Sequence, residues 1–174
     1  MSLLQVATMQ EAQGEVKEIF NEVESAFGAV TEGLSLWALN PEALKFQWNS
    51  IKEQMNNDTD TQKMYTLIRY IVSEKNHCEY CIGLNGGMLM NMFGMNQEEL
   101  KEVANNLSVA KLTPKNEKLL AFALRSVNEP QSINKHNIEE LYALELSDKE
   151  IFDLVLTASM MLVVNTLFDA FDVE

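Results

Sequence analysis

Turn-forming and cross-linking residues are scarce in this chain, with seven glycines, three prolines and two cysteines among 174 residues. So few glycines and prolines exclude a collagenous or low-complexity chain and count against a turn-rich all-β fold, which leaves helices favoured. Basic residues are short too: 13 stand against 26 acidic ones, and the resulting charge of −13 repels phosphate backbones and anionic lipid headgroups. Nucleic acid and acidic membranes are therefore not expected partners. The longest stretch free of strongly polar residues, Leu154 to Val164, still holds Thr157 and Ser159 and falls short of the roughly 20 residues of a membrane span. The N-terminus carries Glu11 and Glu15 and has neither a basic patch nor an apolar segment, unlike a secretory or transit peptide. A soluble, cytoplasmic protein is the expectation.

What is present is ordinary globular material, 47% hydrophobic and 22% charged, which excludes general disorder. The length suits one domain with one core. Thr8 and Glu11 have capping-box spacing, and Val16, Ile19, Phe20, Val23 and Phe27 then recur at helical intervals up to Gly28. A short helical piece is expected over 35–39. Asn40-Pro41 opens a longer helix with the stripe Leu44, Trp48, Ile51 and Met55, and Asp58 or Asp60 caps the next. Met64, Leu67, Ile68, Ile71 and Val72 form one apolar face, interrupted at Asn76-His77. Another helix runs from Cys78 to Phe93, with Gly94 as its stop. Further starts are expected at Asn96, Thr113-Pro114 and Asn134, and at the second capping box, Ser147 with Glu150. The last helix is apolar nearly all round, so it must be surrounded by protein, at the centre of a bundle or against another subunit. No period-2 alternation, repeat or linker is evident. The sequence therefore predicts an all-α, single-domain helical bundle.

The two cysteines fall together as Cys78-Glu79-Tyr80-Cys81, just after a helix–helix joint and at the start of the next helix. Residues three apart share a helix face, so the sulfurs can approach bonding distance, and first-turn N–H groups favour thiolate over thiol. Such a dithiol can reduce a peroxide or a disulfide and resolve to an internal bond. A zinc site needs four ligands, whereas the chain offers two cysteines, an adjacent His77 and a distant His136. No metal or cofactor is expected. The bland alternative is a pair of inert core thiols.

The run Ser73-Glu74-Lys75-Asn76-His77-Cys78-Glu79-Tyr80-Cys81-Ile82 resembles the signature of the alkylhydroperoxidase D-like proteins of the carboxymuconolactone decarboxylase superfamily. Phe27-Gly28, Trp37, Asn40-Pro41 and the segment 147–173, with Asn165, fit the same pattern. The resemblance implies an all-α protomer of the alkylhydroperoxidase D-like type, assembly into homotrimers or homohexamers, and thiol peroxidase activity drawing on a dithiol or disulfide reductant partner. It also implies a glutamate twelve residues before the first cysteine and a histidine four after the second, which together move protons. This chain departs at both places, with Thr66 and Asn85.

Cys78, Cys81, Asn85, Leu89 and Met92 follow one helical stripe, so Asn85 belongs beside the sulfurs. An amide can orient a water but cannot take its proton, and Thr66 offers a hydroxyl in place of a carboxylate. A general base contributes about 10² to 10⁴ in rate, so a slow peroxidase is expected rather than a dead dithiol. His77 can compensate if its ring turns inward; otherwise it is a solvated loop residue. The candidate catalytic residues are therefore Cys78, Cys81, Asn85, Thr66 and His77. Which sulfur attacks first is left open.

Tyr70 and Ser73 share a face with Thr66 and are candidates for part of the lost relay, or simply a hydrogen-bonded buried edge. Gly83, Gly86 and Gly87 inside a helix suggest close approach by another helix. Met88, Met90, Met92 and Met95 are either core filler or the lining of an apolar pocket. The acidic first helix and His136 read as surface. The competing function is a catalytically degenerate family member acting as a redox-sensing or scaffolding oligomer. Lactone decarboxylation, the superfamily's other branch, does not rely on a cysteine pair.

Overall fold

Side-chain caps set many helix boundaries in the computed structural model, which describes residues 2–174. Nine α-helices and two short 3-10 helices, with no strand, make up the regular structure among the described residues. They are α1 (Gly14–Phe27), α2 (Glu32–Trp37), α3 (Pro41–Met55), α4 (Thr59–Asn76), α5 (Glu79–Phe93), α6 (Gln97–Val103), α7 (Pro114–Asn128), α8 (Lys135–Tyr142) and α9 (Asp148–Ala170). The all-α expectation holds. Asn40 caps α3 by accepting from the Ala43 N–H at 3.2 Å, and Asp58 caps α4 by accepting from Asp60 and Thr61, each at 3.0 Å. Ser147 and Glu150 form the expected reciprocal cap of α9, with the Ser147 N–H on the Glu150 carboxylate at 2.8 Å.

Contacts divide the chain into two compact units, Met1–Asn57 with Leu167–Glu174, and Asp58–Thr166. In the first, α1 and α2 pack on α3 around Phe20, Val23, Leu44 and Trp48, all buried. Trp48 meets Phe27 edge-on at 5.8 Å, and its indole N–H donates to Glu22 at 2.7 Å, so the ring is buried with its polar atom satisfied. Thr8 and Glu11 do pair, but they close an isolated turn: Glu11 and Ala12 donate to the Thr8 carbonyl, and the backbone at Gln13 is extended. The helix starts only at Gly14, whose φ of 55° re-aims the chain. The piece expected over 35–39 lies earlier, as α2, because Thr31 caps it.

In the second unit α4 packs on α5 and α7, burying Met64, Leu67, Ile68, Ile71 and Val72 as the apolar stripe predicted. Asp60 fastens the first turn of α4 to that of α7, accepting from the Thr113 hydroxyl and the Asn116 amide at 2.7 Å each. Of the three glycines of α5 only Gly86 has a packing reason, and it is an aromatic ring rather than a helix backbone: a Cβ there would stand 3.2 Å from Tyr70 Cε2. Gly83 and Gly87 meet nothing within 4 Å, and nothing in the structure explains them. The methionines do not form one lining either, since Met95 is buried while Met90 and Met92 are exposed.

Ile151, Leu154, Ala158, Met161 and Val164 form the buried face of α9, whereas Phe152, Leu162 and Val163 are exposed on the same helix, Phe152 by 65%. By length and a mean hydropathy of 1.9 alone α9 is apolar enough to cross a membrane. Its packed face and buried Asn165 are features of a core helix.

Candidate functional site

The joint between α4 and α5 is closed by backbone geometry. The Cys78 N–H donates to the Ser73 carbonyl at 3.2 Å and the His77 N–H to the Glu74 carbonyl at 3.2 Å, the paired bonds of a Schellman ending. His77 occupies its left-handed position, with φ at 60°, where glycine is usual, and its side chain is exposed. This is the solvated alternative weighed for His77. The same joint delivers Cys78 as the N-cap residue of α5 and Cys81 as its third residue, so a helix-end motif sets the position of the dithiol.

Both cysteines are free, and they are 0% and 2% exposed. Their neighbours are polar as well as apolar. The Cys81 thiol has Cys78, Asn165 and Ser73 for neighbours. Burial, followed by the hydrogen bond and charge of Cys78, holds the Cys81 thiol well above the ordinary cysteine range, against the opposing pull of Asn165 and Ser73. Asn165, from α9, donates to Ser73 Oγ at 3.0 Å and accepts from Asn76 Nδ2 at 3.1 Å. Ser73 has one O–H, which bonds the Arg69 carbonyl at 2.7 Å, so that carbonyl and the Cys81 sulfur compete for it. A hydrogen-bonded path thus runs from exposed Asn76 through Asn165 to Ser73, beside the buried Cys81.

A second network lies one turn earlier on α4. Thr66 and Asn85 are both buried, and Arg69 bridges them: Nη2 donates to Thr66 Oγ1 at 2.9 Å and Nε to Asn85 Oδ1 at 3.0 Å. Asn85 Nδ2 in turn donates to the Cys81 carbonyl at 2.8 Å, and Thr66 donates to the Gln62 carbonyl at 2.9 Å. Burial pulls the Arg69 guanidinium down to about 10, which still leaves it cationic at neutral pH. Thr66 and Asn85 are therefore joined through a cation, and neither carries a group able to accept a proton at neutral pH.

The structure brings four of the predicted site residues together, Cys78, Cys81, Asn85 and Thr66, and leaves His77 outside. The stripe from Cys78 continues as expected through buried Leu89, but Met92 at its end is 57% exposed. Tyr70 is turned to Gly86 and Glu74 rather than to this network; burial, then the charge of Glu74 and a hydrogen bond to it, pushes its phenol up to about 12. Arg69 and Asn165 were not singled out as site residues in the sequence. Arg69 had a signal, a lone charge between Ile68 and Ile71 on an otherwise apolar stretch; Ser73 was a candidate by its helix face, but the pairings of Asn165 with Ser73 and Asn76, 92 and 89 residues away, had no signal. Among the described residues no cluster of three or more His, Cys, Asp or Glu is disposed to hold a metal. His136 is on the surface beside Glu140 at 3.9 Å.

No family profile and no curated protein matches the chain. Solved structures do match. The alkylhydroperoxidase AhpD core of an uncharacterized peroxidase-related protein from Ralstonia eutropha JMP134 is 18% identical, with a TM-score of 0.78 over 99% of this chain and 91% of that one. A peroxidase-related protein from Silicibacter sp. TM1040 is 21% identical, with a TM-score of 0.75 over the same 99% and 91%. The debrominase Bmp8, solved as a variant with 2,3,4-tribromopyrrole, is 16% identical, with a TM-score of 0.70 over 100% and 93%. At these identities the likeness is one of fold, and the fold is the all-α fold of the AhpD core.

Proposed function

We propose that this AhpD-core fold carries a thiol-dependent peroxidase or disulfide oxidoreductase whose working group is the Cys78/Cys81 dithiol. The observation that carries the reading is the placement of two free, buried cysteines at the N-terminus of one helix, Cys78 as its N-cap and Cys81 in its first turn, with the hydrogen-bonded pair Ser73 of α4 and Asn165 of α9 beside Cys81. In the reaction a hydroperoxide ROOH takes two electrons from the dithiol, giving ROH, water and an internal disulfide. A dithiol reductant then restores both thiols by exchange. Thr66 and Asn85, tied to Arg69, leave the site without the usual acid–base pair, so turnover is slow for this fold, by about 10² to 10⁴. Because both sulfurs are out of solvent contact, substrate enters only when the joint opens, and opening is part of the rate.

The peroxide is organic and uncharged, since the net charge of −13 discourages anions. We place the protein in the cytoplasm, as a homotrimer or homohexamer in which the exposed Phe152, Leu162 and Val163 of α9 are covered. The burial of both thiols also favours a second reading, a redox-sensing or scaffolding oligomer with no turnover. The test is hydroperoxide consumption with a dithiol reductant by the purified protein and by Cys78→Ser and Cys81→Ser. The expected result is measurable turnover lost in both variants. Full turnover in both excludes the dithiol mechanism, and reversible disulfide formation without turnover selects the sensor.

A further inference from the structure

Two sulfurs three residues apart can divide a peroxidase reaction in either order, and the surroundings of this pair are not symmetric. Cys78 is the N-cap residue, at the positive end of α5, where negative charge is favoured. Its side chain bonds no first-turn N–H, so it is not held as a helix cap. Cys81 lies inside the first turn, next to Cys78, and is flanked by Ser73 and Asn165. The residue that would handle protons for Cys81 is Asn85, and its amide is committed elsewhere: the oxygen accepts from Arg69 at 3.0 Å and the nitrogen donates to the Cys81 carbonyl at 2.8 Å. Thr66 is held by the same Arg69 and by the Gln62 carbonyl.

We infer that Cys78 is the attacking sulfur and that Cys81 is the proton donor to the departing oxygen, so the second thiol does the work of the missing acid–base pair. This assignment rests on the peroxidase reading above. The Cys78 thiolate attacks the near oxygen of ROOH, the O–O bond breaks, and the departing alkoxide takes the Cys81 proton, giving ROH, a Cys78 sulfenic acid and a Cys81 thiolate. That thiolate then attacks the sulfenic sulfur, forming the disulfide and releasing hydroxide, which solvent protonates. The raised position of the Cys81 thiol agrees with its keeping the proton until the alkoxide forms. The two sulfurs are equally inaccessible, so exposure does not select between them.

The experiment has two probes. With one equivalent of an alkyl hydroperoxide and dimedone as sulfenic-acid trap, Cys78 in Cys81→Ser should be labelled at least about tenfold faster than Cys81 in Cys78→Ser. Cys81→Ser keeps an O–H donor and Cys81→Ala does not, so Cys78 oxidation should be about tenfold or more faster in the serine variant. The second probe is the aromatic disulfide dithionitrobenzoate, whose leaving thiolate needs no proton. With it the serine and alanine variants should react alike, which separates proton donation from a packing effect. Equal or faster labelling of Cys81 overturns the order of attack, and equal hydroperoxide rates in the serine and alanine variants overturn the proton-donor role. Labelling of the unmodified protein with one equivalent of iodoacetamide, located by fragment masses, decides the order if a variant fails to fold. If hydroperoxide leaves the unmodified protein reduced, the peroxidase reading falls and takes the donor role with it, while dithionitrobenzoate still reports which sulfur attacks.

Discussion

Cys81 is held by two polar networks that place their charge differently. On the sulfur side stand neutral groups, Ser73 and Asn165, with Asn76 leading to the surface. On the carbonyl side stands the cation Arg69, linked to the cysteine through Asn85. The contrast teaches that a partly buried charge near a thiol need not act on that thiol's charge. Here it joins Thr66 to Asn85 and satisfies their hydrogen bonds, while the groups beside the Cys81 sulfur are neutral.

The sharpest way to break this comparison is to return the acid–base pair. Thr66→Glu with Asn85→His places a carboxylate within reach of Arg69, which will pair with it and hold it ionised, so the double variant alone should gain little hydroperoxide turnover. Adding Arg69→Met should release the pair and raise turnover by about 10² to 10⁴. A full gain in the double variant would show that Arg69 does not control these positions. On the sulfur side, Asn165→Leu removes the donor to Ser73 and the acceptor of Asn76 inside a packed helix. It should lower stability by about 1–3 kcal/mol in urea titration and move alkylation of the second thiol to higher pH, because one of the groups pulling Cys81 down is gone.

The pH dependence of stability tests the burial of Cys81 directly. Its folded thiol lies above the ordinary value of 9.0, so above that pH the unfolded chain loses a proton that the folded chain keeps. The stabilisation is complete below 9.0 and declines as pH rises beyond it. Between about pH 9 and 10 the unfolded Tyr70 and the folded Arg69 begin to titrate as well, but they do so equally in both proteins, so the unmodified protein should lose more denaturant midpoint than Cys81→Ala, and the difference reports the thiol. The smallest effect is at the joint. His77→Gly relieves the left-handed backbone and should raise stability by about 1 kcal/mol in thermal unfolding, with dithiol oxidation unchanged. A marked loss of oxidation rate would return the imidazole to the site.

Legibility followed sequence distance. Asn40, Asp58, Thr113 and Ser147 act as caps where the sequence placed them, because a cap and its N–H partners lie two or three residues apart. Cys78, Cys81, Asn85 and Leu89 are buried as one stripe because helical spacing alone relates them. Thr8 and Glu11 misled for a related reason: their hydrogen bonds form as expected, but those bonds are satisfied equally well by a lone turn.

The order of the helices, the joint at Asn76-His77 and the juxtaposition of two cysteines on the next helix were determined by the amino-acid sequence, since each depends on contacts within about one or two turns. Tertiary structure decided that Arg69 joins the two substituted positions and that Asn165 reaches Ser73 and Asn76 across 92 and 89 residues. Those pairings depend on which helix faces meet, and helix periodicity says which residues share a face but not what that face will find.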